Sequence, residues 1–320
     1  MTTITVRLKP ATTAIAKSSL AIFTVIAVVS GFSRTLAAQT FEGDLDPRIV
    51  KLVASVSEDR LGAIEKKLES FETRNSLSST TSTTRGIGAA RQWIFDEMKS
   101  YSPKLQVSFD TYQVPPQGRI TRQVELRNVM AILPGRSPRR IYISGHYDTV
   151  ARPGGQGAAN AGPPADPDAP AARPADPNAP LDNLAPGVND DGSGTALTIE
   201  LSRVFGQSGI DFDATLVFMC HVAEEQGLVG ARLHAQRAIA EKIPIEAILN
   251  NDIVGNDRGG NGIVDGATIR VYSEGPEDSP SRELATYGMV ASVPVVTRTP
   301  ARYAAATNPI RAFSAFSHAA

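Results

Sequence analysis

The chain has 320 residues, 42% of them hydrophobic, which is enough for one large domain with a full core, as we expect, or for two small domains. It carries 32 Lys and Arg against 33 Asp and Glu, a net charge of −1, so nucleic-acid binding is not expected. Its single cysteine, Cys220, excludes an intramolecular disulfide. Because Cys220 follows an apolar run, we expect a small buried side chain and not a nucleophile.

The first 38 residues have the pattern of an export signal. Three basic residues precede an apolar run at 20–29, and small residues at 35–38 offer a cleavage site. The alternative is a retained membrane anchor, but the run is shorter than the roughly 20 residues that a span needs. We therefore predict a signal peptide over 1–38. The mature chain, 39–320, would be periplasmic or secreted and would not stay inserted in a membrane. Its net charge would be −5, because the signal holds four basic residues and no acidic residue.

Apolar residues recur with alternating helical and strand periods along the rest of the chain. Helices are predicted within 46–71, where a break near 57–59 separates two of them, and at 87–98, 194–205, 229–239 and 279–290. Strands are predicted at 107–114, 124–133, 141–145, 214–222, 245–253 and 268–272, the first two as a hairpin. This alternation predicts an α/β layered domain with a mixed, partly parallel sheet.

Residues 151–186 differ from this pattern in composition. They are rich in Ala, Pro, Asp and Gly and contain a short repeat, at 165–170 and 175–180. Because proline at this density prevents both helix and strand ladders, we predict a surface insertion within one domain, and not a domain boundary.

Polar residues of the metal-binding type occur at four places, each after a predicted strand or at the start of a predicted helix. They are His146 with Asp148, the run 189–191, the pair Glu224 and Glu225, and the run 250–252. Each place alone has a plain structural explanation, such as a helix cap or a solvated surface. Together they favour a metal site, because two adjacent buried carboxylates need a cation and α/β sheets place their sites at strand ends.

The chain resembles the M28 family of zinc-dependent exopeptidases, which are aminopeptidases with two metals in one α/β domain. The matching stretches are ISGHYDTV at 143–150, APGVNDDGSG at 185–194, AEEQGLVG at 223–230 and NDIVG at 251–255. The resemblance implies a three-layer αβα fold and a peptide substrate with a free N-terminus. It also implies that Asp190 bridges two Zn²⁺ ions, that His146 and Asp252 complete the first site, and that Glu225 binds the second ion. Asp148 would orient His146, and Glu224 would be the general base.

The family's second zinc normally takes a histidine from a motif near the C-terminus, and here the chain departs from the pattern. Of the remaining histidines we expect His221 to be a core residue and His234 to be exposed on a helix, so His318 is left as a weak candidate. Because 299–320 lacks a clear helix or strand period, we expect a truncated or out-of-frame C-terminus, one zinc and weak activity. The alternatives are a glutaminyl cyclase-like transferase and a catalytically impaired binding homologue of the same fold.

Overall fold

The structure is a computed structural model that describes residues 2–7, 46–150, 182–258, 262–264, 268–273 and 279–290. Its elements, in chain order, are β1 (Thr2–Arg7), α1 (Pro47–Ala54), α2 (Glu58–Glu69), α3 (Gly86–Tyr101), β2 (Gln106–Val114), β3 (Val124–Leu133), β4 (Ser137–His146), α4 (Gly192–Gln207), β5 (Ala214–His221), α5 (Val229–Ala240), β6 (Ile245–Asn250), β7 (Thr268–Ser273) and α6 (Pro280–Val290).

The chain divides into two compact units. One comprises residues 1–45 and 266–300, and in it β1 pairs antiparallel with β7. The other comprises 46–265 and 301–320 and contains the larger sheet. Strand β1 lies in the segment predicted to be a signal peptide. That signal, and the single domain predicted over 39–320, stay predictions.

The larger unit is built on a five-stranded sheet with the order β2-β3-β5-β4-β6. Strand β3 pairs antiparallel with β2 and β5, whereas β4 pairs parallel with β5 and β6. The sheet is therefore mixed and partly parallel, as predicted. Because β4, β5 and β6 run in the same direction, their carboxyl ends lie at one edge of the sheet.

Helices cover both faces of this sheet. Side chains of β5 alternate: Phe218 lies in the main core with residues of α2, α3 and α4, whereas Val217 and Met219 pack with Tyr142 on the opposite face. Helix α5 covers that second face, since its His234 contacts Tyr142. The predicted three-layer α/β architecture is thus confirmed. Cys220 is buried in the main core, as predicted.

The predicted elements agree with the observed ones within a few residues. The break within 46–71 is real, because Ser57 caps α2 by accepting a hydrogen bond from the Arg60 amide. Within the described part of the chain, no helix is both long and apolar enough to span a membrane.

The predicted insertion at 151–186 is described only from residue 182 onward. Those last residues contact the rest of the unit: Ala185 forms a bridge with Thr73, and the Asp182 carboxylate accepts a hydrogen bond from the Ser79 amide. Residues 151–181 lie outside the described part.

The prediction that His234 is exposed is wrong. It is 2% exposed, and its ring nitrogens lie 3.0 Å from the Asp110 carboxylate and 3.0 Å from the Tyr142 hydroxyl. The helix face that carries it looks polar in sequence, but Asp110 and Tyr142 supply partners for a polar side chain inside the protein.

Candidate metal centre

Four chain segments meet at the carboxyl edge of the parallel strands. His146 is the last residue of β4, Asp252 follows β6, and Glu224 follows β5. Asp190 comes from the loop that leads into α4, whose N-terminus packs beside the end of β4. A Cβ added to Gly145 would lie 2.7 Å from the Gly194 backbone, so this close approach requires glycine.

The ligand-type atoms of His146, Asp190 and Asp252 converge. His146 Nε2 lies 3.4 Å from Asp190 Oδ1 and 3.9 Å from Asp252 Oδ1, and each of the three residues offers one ligand atom within 4.8 Å of those of the other two. Asp252 Oδ1 is buried and makes no hydrogen bond within the part of the chain that the structure describes. A buried carboxylate oxygen of this kind needs a cation, and one imidazole with two carboxylates suits zinc.

Burial and neighbouring charges change the protonation of this group. Burial raises the pKa of Asp252 to about 6. Burial alone would lower the pKa of His146, but its hydrogen bonds to Asp148 and Asp190 raise it well above the usual value. The centre therefore favours positive charge at the point where the three side chains meet.

Glu224 and Glu225 differ in their surroundings. Glu224 Oε2 lies 3.9 Å from His146 Nε2, its side chain is 29% exposed, and burial raises its pKa to about 7. Glu225 is buried, and its backbone oxygen accepts a hydrogen bond from Arg119 at 2.8 Å. Glu225 is not among the three side chains that converge, so its assignment to a second ion stays a prediction.

Asp148 contacts both His146 and the segment that carries the two glutamates. His146 Nδ1 lies 3.2 Å from the Asp148 backbone oxygen and 3.6 Å from its carboxylate. The carboxylate accepts hydrogen bonds from the amides of Glu224, at 3.0 Å, and Glu225, at 3.2 Å. Asp148 thus lies where an orienting residue should be, but the closer contact with the imidazole is made by its main chain.

Asp191 holds the backbone of the site together. The sequence pattern did not show that Asp190 and Asp191 have different roles. Its buried carboxylate accepts hydrogen bonds from the amides of His146 (3.0 Å), Gly194 (2.8 Å) and Ile253 (3.3 Å). Burial raises the pKa of Asp191 well above its usual value. Asp191 caps α4 and joins it to β4 and to the segment after β6, whereas Asp190, across a cis peptide bond, faces His146.

Arg74, which the sequence analysis missed, lies buried beneath the centre. Its guanidinium donates to four backbone oxygens, those of Leu68, Tyr147, Pro186 and Gly187, at 2.6 to 3.1 Å. Burial lowers its pKa to about 10, against the attraction of Asp191, Asp148 and Asp190. At neutral pH the guanidinium therefore remains a buried positive charge near the carboxylates of these three aspartates. An arginine whose partners are carbonyls has no sequence signature.

Two residues next to the site adopt left-handed backbone conformations. Ala223 precedes Glu224 with φ 57°, and Ile253 follows Asp252 with φ 54°. This conformation is unfavourable for a side chain with a Cβ, and most of all for a β-branched one such as isoleucine. Strain of this kind is concentrated at functional sites, where the surrounding contacts hold it in place.

Within the described part of the chain, no second histidine joins this group. His221 is buried in β5, and burial lowers its pKa to about 3, as expected for a core residue. His318 lies outside the described residues, so its predicted role at a second ion stays untested.

A family model described as peptidase family M28 matches residues 128–295, more than half of the chain. The chain is 34% identical over 283 residues to a probable zinc metalloprotease of Pyricularia oryzae, covering 81% of this chain and 50% of that protein. It is 33% identical over 276 residues to one of Leptosphaeria maculans, covering 79% of this chain and 58% of that one. The chain thus spans about half the length of the curated relatives it matches.

Among solved structures, the chain is similar to LapB of Legionella pneumophila, with 20% identity, 68% of this chain and 48% of that chain covered, and a TM-score of 0.47. It is also similar to a glutaminyl cyclase of Porphyromonas gingivalis, with 18% identity, 64% of each chain covered, and a TM-score of 0.47. The matched range of the family model includes His146, Asp190, Glu224 and Asp252. The chain belongs to peptidase family M28.

Proposed function

We propose that the chain is a zinc-dependent hydrolase, a metalloprotease of the aminopeptidase type that removes residues from peptides with a free N-terminus. The observation that carries this proposal is the convergence of His146 Nε2, Asp190 Oδ1 and Asp252 Oδ1, with the Glu224 carboxylate 3.9 Å from the same Nε2. Family membership and relatives named as probable zinc metalloproteases support it.

His146, Asp190 and Asp252 would hold the zinc, which when bound acts as a Lewis acid toward a carbonyl and lowers the pKa of water. Glu224 takes a proton from the attacking water and passes it to the leaving amine. Its carboxylate suits this role because it is partly exposed and its Oε2 atom lies 3.9 Å from His146 Nε2, beside the proposed metal ligands. Asp148 holds the imidazole of His146 and the backbone of Glu224 in fixed positions.

For the second ion we propose Asp190 and Glu225 as protein ligands, with His318 as a weak third. Catalytic zinc sites usually have three protein ligands, so two would hold the ion poorly. We therefore expect about one tightly held zinc per chain and low peptidase activity. For location we propose export to the periplasm or the medium, supported by the apolar run at 20–29 after three basic residues.

The test is elemental analysis of the purified chain together with an assay on a short peptide, with its N-acetylated form as the matched control. We expect about one zinc and slow release of the first residue from the free peptide only. Cleavage of the acetylated peptide would contradict the aminopeptidase type. A peptide with N-terminal Gln, followed by mass spectrometry, separates hydrolysis from cyclisation, in which ammonia is lost and no peptide bond is cut.

The zinc count also tests the C-terminal residues. We expect His318→Ala to leave the zinc content unchanged. Two zinc ions at full occupancy, one of them lost in His318→Ala, would contradict the proposal of a weak second site.

A further inference from the structure

The two glutamates lie in a short connection between β5 and α5, which we call the glutamate turn (residues 222–230). Its two ends are paired, because the Gly230 amide donates to the Val222 carbonyl at 3.1 Å and the Val229 amide donates to the Ala223 carbonyl at 2.9 Å. Within it, the amides of Gly227 and Leu228 both donate to the Glu224 carbonyl at 2.8 Å. The turn is therefore a closed unit whose orientation depends on what holds its two ends.

One buried side chain, Asn128 of β3, holds both ends at once. Its Oδ1 accepts a hydrogen bond from the Val222 amide at 3.0 Å, and its Nδ2 donates to the Gly230 carbonyl at 3.1 Å. The fit is tight, because a Cβ added to Gly230 would lie 2.5 Å from Asn128 Oδ1 and 2.2 Å from the Val222 carbonyl oxygen. Any other residue at 230 would displace either the turn or the amide.

Asn128 is itself fixed by Asp110 of β2. The Asp110 Oδ2 atom accepts hydrogen bonds from Asn128 Nδ2 at 3.0 Å, from the Tyr112 hydroxyl at 2.9 Å and from His234 Nδ1 at 3.0 Å. Its Oδ1 atom accepts one from Arg237 at 2.5 Å. His234 and Arg237 lie on α5, the helix that follows the turn, so Asp110 holds both Asn128 and this helix.

We propose that Asn128, fixed by Asp110, is a positioning residue that sets where Glu224 and Glu225 lie relative to His146. It acts from the sheet side of the turn, whereas Asp148 holds the amides of Glu224 and Glu225 from the side of the metal ligands. Asn128 and Asp148 therefore bind the glutamate turn from two different sides. Together they fix its orientation, which a single contact would not do. The catalytic part of this inference rests on the proposed function, but the structural part does not.

The first test is hydrogen exchange, read by mass spectrometry, on the full metal-free chain of Asn128→Ala and Asn128→Asp. The alanine variant removes both contacts. The aspartate variant keeps an acceptor for Val222, but it loses the donor to Gly230 and sets a carboxylate against Asp110. We expect exchange in peptides covering 222–230 to rise about tenfold or more, the consequence of losing about 1.4 kcal/mol of local hydrogen bonding.

The matched control is Leu126→Ala, which truncates a buried apolar residue of the same strand and removes no side-chain hydrogen bond to the turn. It should lower the melting temperature without a selective rise in exchange at 222–230. Unchanged exchange of the turn in both Asn128 variants would overturn the proposal, and so would an equal rise in the control. If Asn128→Ala does not fold, the exchange of residues 222–230 in Asn128→Asp alone tests the proposal.

The second test measures kcat and KM separately in the zinc-loaded chain. We expect kcat to fall at least about tenfold in the Asn128 variants with KM nearly unchanged, since misplacing a catalytic group acts on the chemical step. A turn that exchanges faster while kcat stays the same would overturn the positioning role. A wild-type chain without peptidase activity would contradict the proposed function but not the exchange result.

Discussion

The carboxylate of Asp148 accepts a hydrogen bond from the backbone amide of Glu224 at 3.0 Å. The same residue contacts the imidazole of His146 through its main-chain oxygen, at 3.2 Å. One residue therefore fixes both a proposed zinc ligand and the proposed general base. The distance between these two groups depends on Asp148 as much as on the strands that carry them.

We expect Asp148→Asn to weaken zinc binding by about 10- to 100-fold, the usual effect of changing a residue that orients a ligand. The two glutamate amides donate to different oxygens of the Asp148 carboxylate, so in asparagine the NH₂ group would face one of them. Competition with a chelator measures the affinity. The control Ser76→Ala removes only the 3.4 Å contact with the same carboxylate and should change the affinity little. Equal affinities for Asp148→Asn and the wild type would contradict this role.

The two adjacent glutamates should respond differently to the same substitution. We expect Glu224→Gln to keep its zinc while turnover falls at least about 100-fold, the usual contribution of a general base. Glu225→Gln should instead bind less zinc than Glu224→Gln when both variants are titrated with excess zinc, because the proposed second ion uses Glu225 as a ligand. Each variant is the control for the other, with zinc content and kcat measured on the same samples. Equal zinc content and equal residual activity would show that the roles are not divided in this way.

The Glu200 carboxylate accepts hydrogen bonds from Arg60 and Arg203, and these contacts make the stability of the fold depend on pH. Burial would raise the pKa of Glu200, but hydrogen bonds from Arg203, the Ser57 amide and Arg60 lower it below the usual value of 4.5. Because the folded-state pKa is the lower one, this contribution is present above pH 4.5 and is lost as the pH falls through the folded-state pKa.

Glu200→Gln should therefore lower the free energy of unfolding at pH 7 by about 1.5 to 3 kcal/mol, since it removes the charge of a buried carboxylate that binds two partly exposed arginines. The difference from the wild type should shrink as the pH falls below 4.5. Urea unfolding at several pH values measures this. Glu246→Gln, which alters an exposed ion pair with Arg139, should change stability by less than about 1 kcal/mol. A pH-independent effect at Glu200 would mean that lost packing, and not charge, is responsible.

Residues 151–181 should be dispensable for folding. Sequence rich in proline and alanine buries little apolar area, and a long surface loop adds little closure entropy. A short Gly/Ser connection between 150 and 182 should leave the melting temperature almost unchanged. A longer deletion, through 186, removes the contacts of Asp182 and Ala185 with the 73–79 segment and should lower it. An insoluble protein after the shorter replacement would contradict this expectation.

Local patterns in the sequence predicted most of the fold. The periodicity located the helices and strands of the five-stranded sheet, and the polar residues at strand ends located His146, Asp190 and Asp252. These features depend on residues close together in the chain. The order of the strands does not: β5 lies between β3 and β4 although α4 and the insertion separate it from both in sequence.

The buried polar contacts were the part that sequence could not predict. His234 and its partner Asp110 are 124 residues apart, so a polar helix position gave no sign that it faces the protein interior. Asn128 and Arg74 bind mainly to backbone atoms of distant segments, and backbone partners leave no trace in the side-chain pattern. The available signal was a polar residue directly before an apolar run of the same strand, as Asn128 precedes residues 129–133.

The guanidinium of Arg74 has a consequence for how the chain tolerates being cut. It binds the carbonyl of Tyr147 before the proline-rich insertion, that of Pro186 at its end and that of Gly187 after it. The two ends of the insertion are thus joined by a non-covalent bridge in addition to the chain. If a protease cut the insertion, the hydrogen bonds of this buried guanidinium would still join the two resulting polypeptides. The same bridge makes this position suitable for new termini in a circular permutant or for the insertion of a foreign domain.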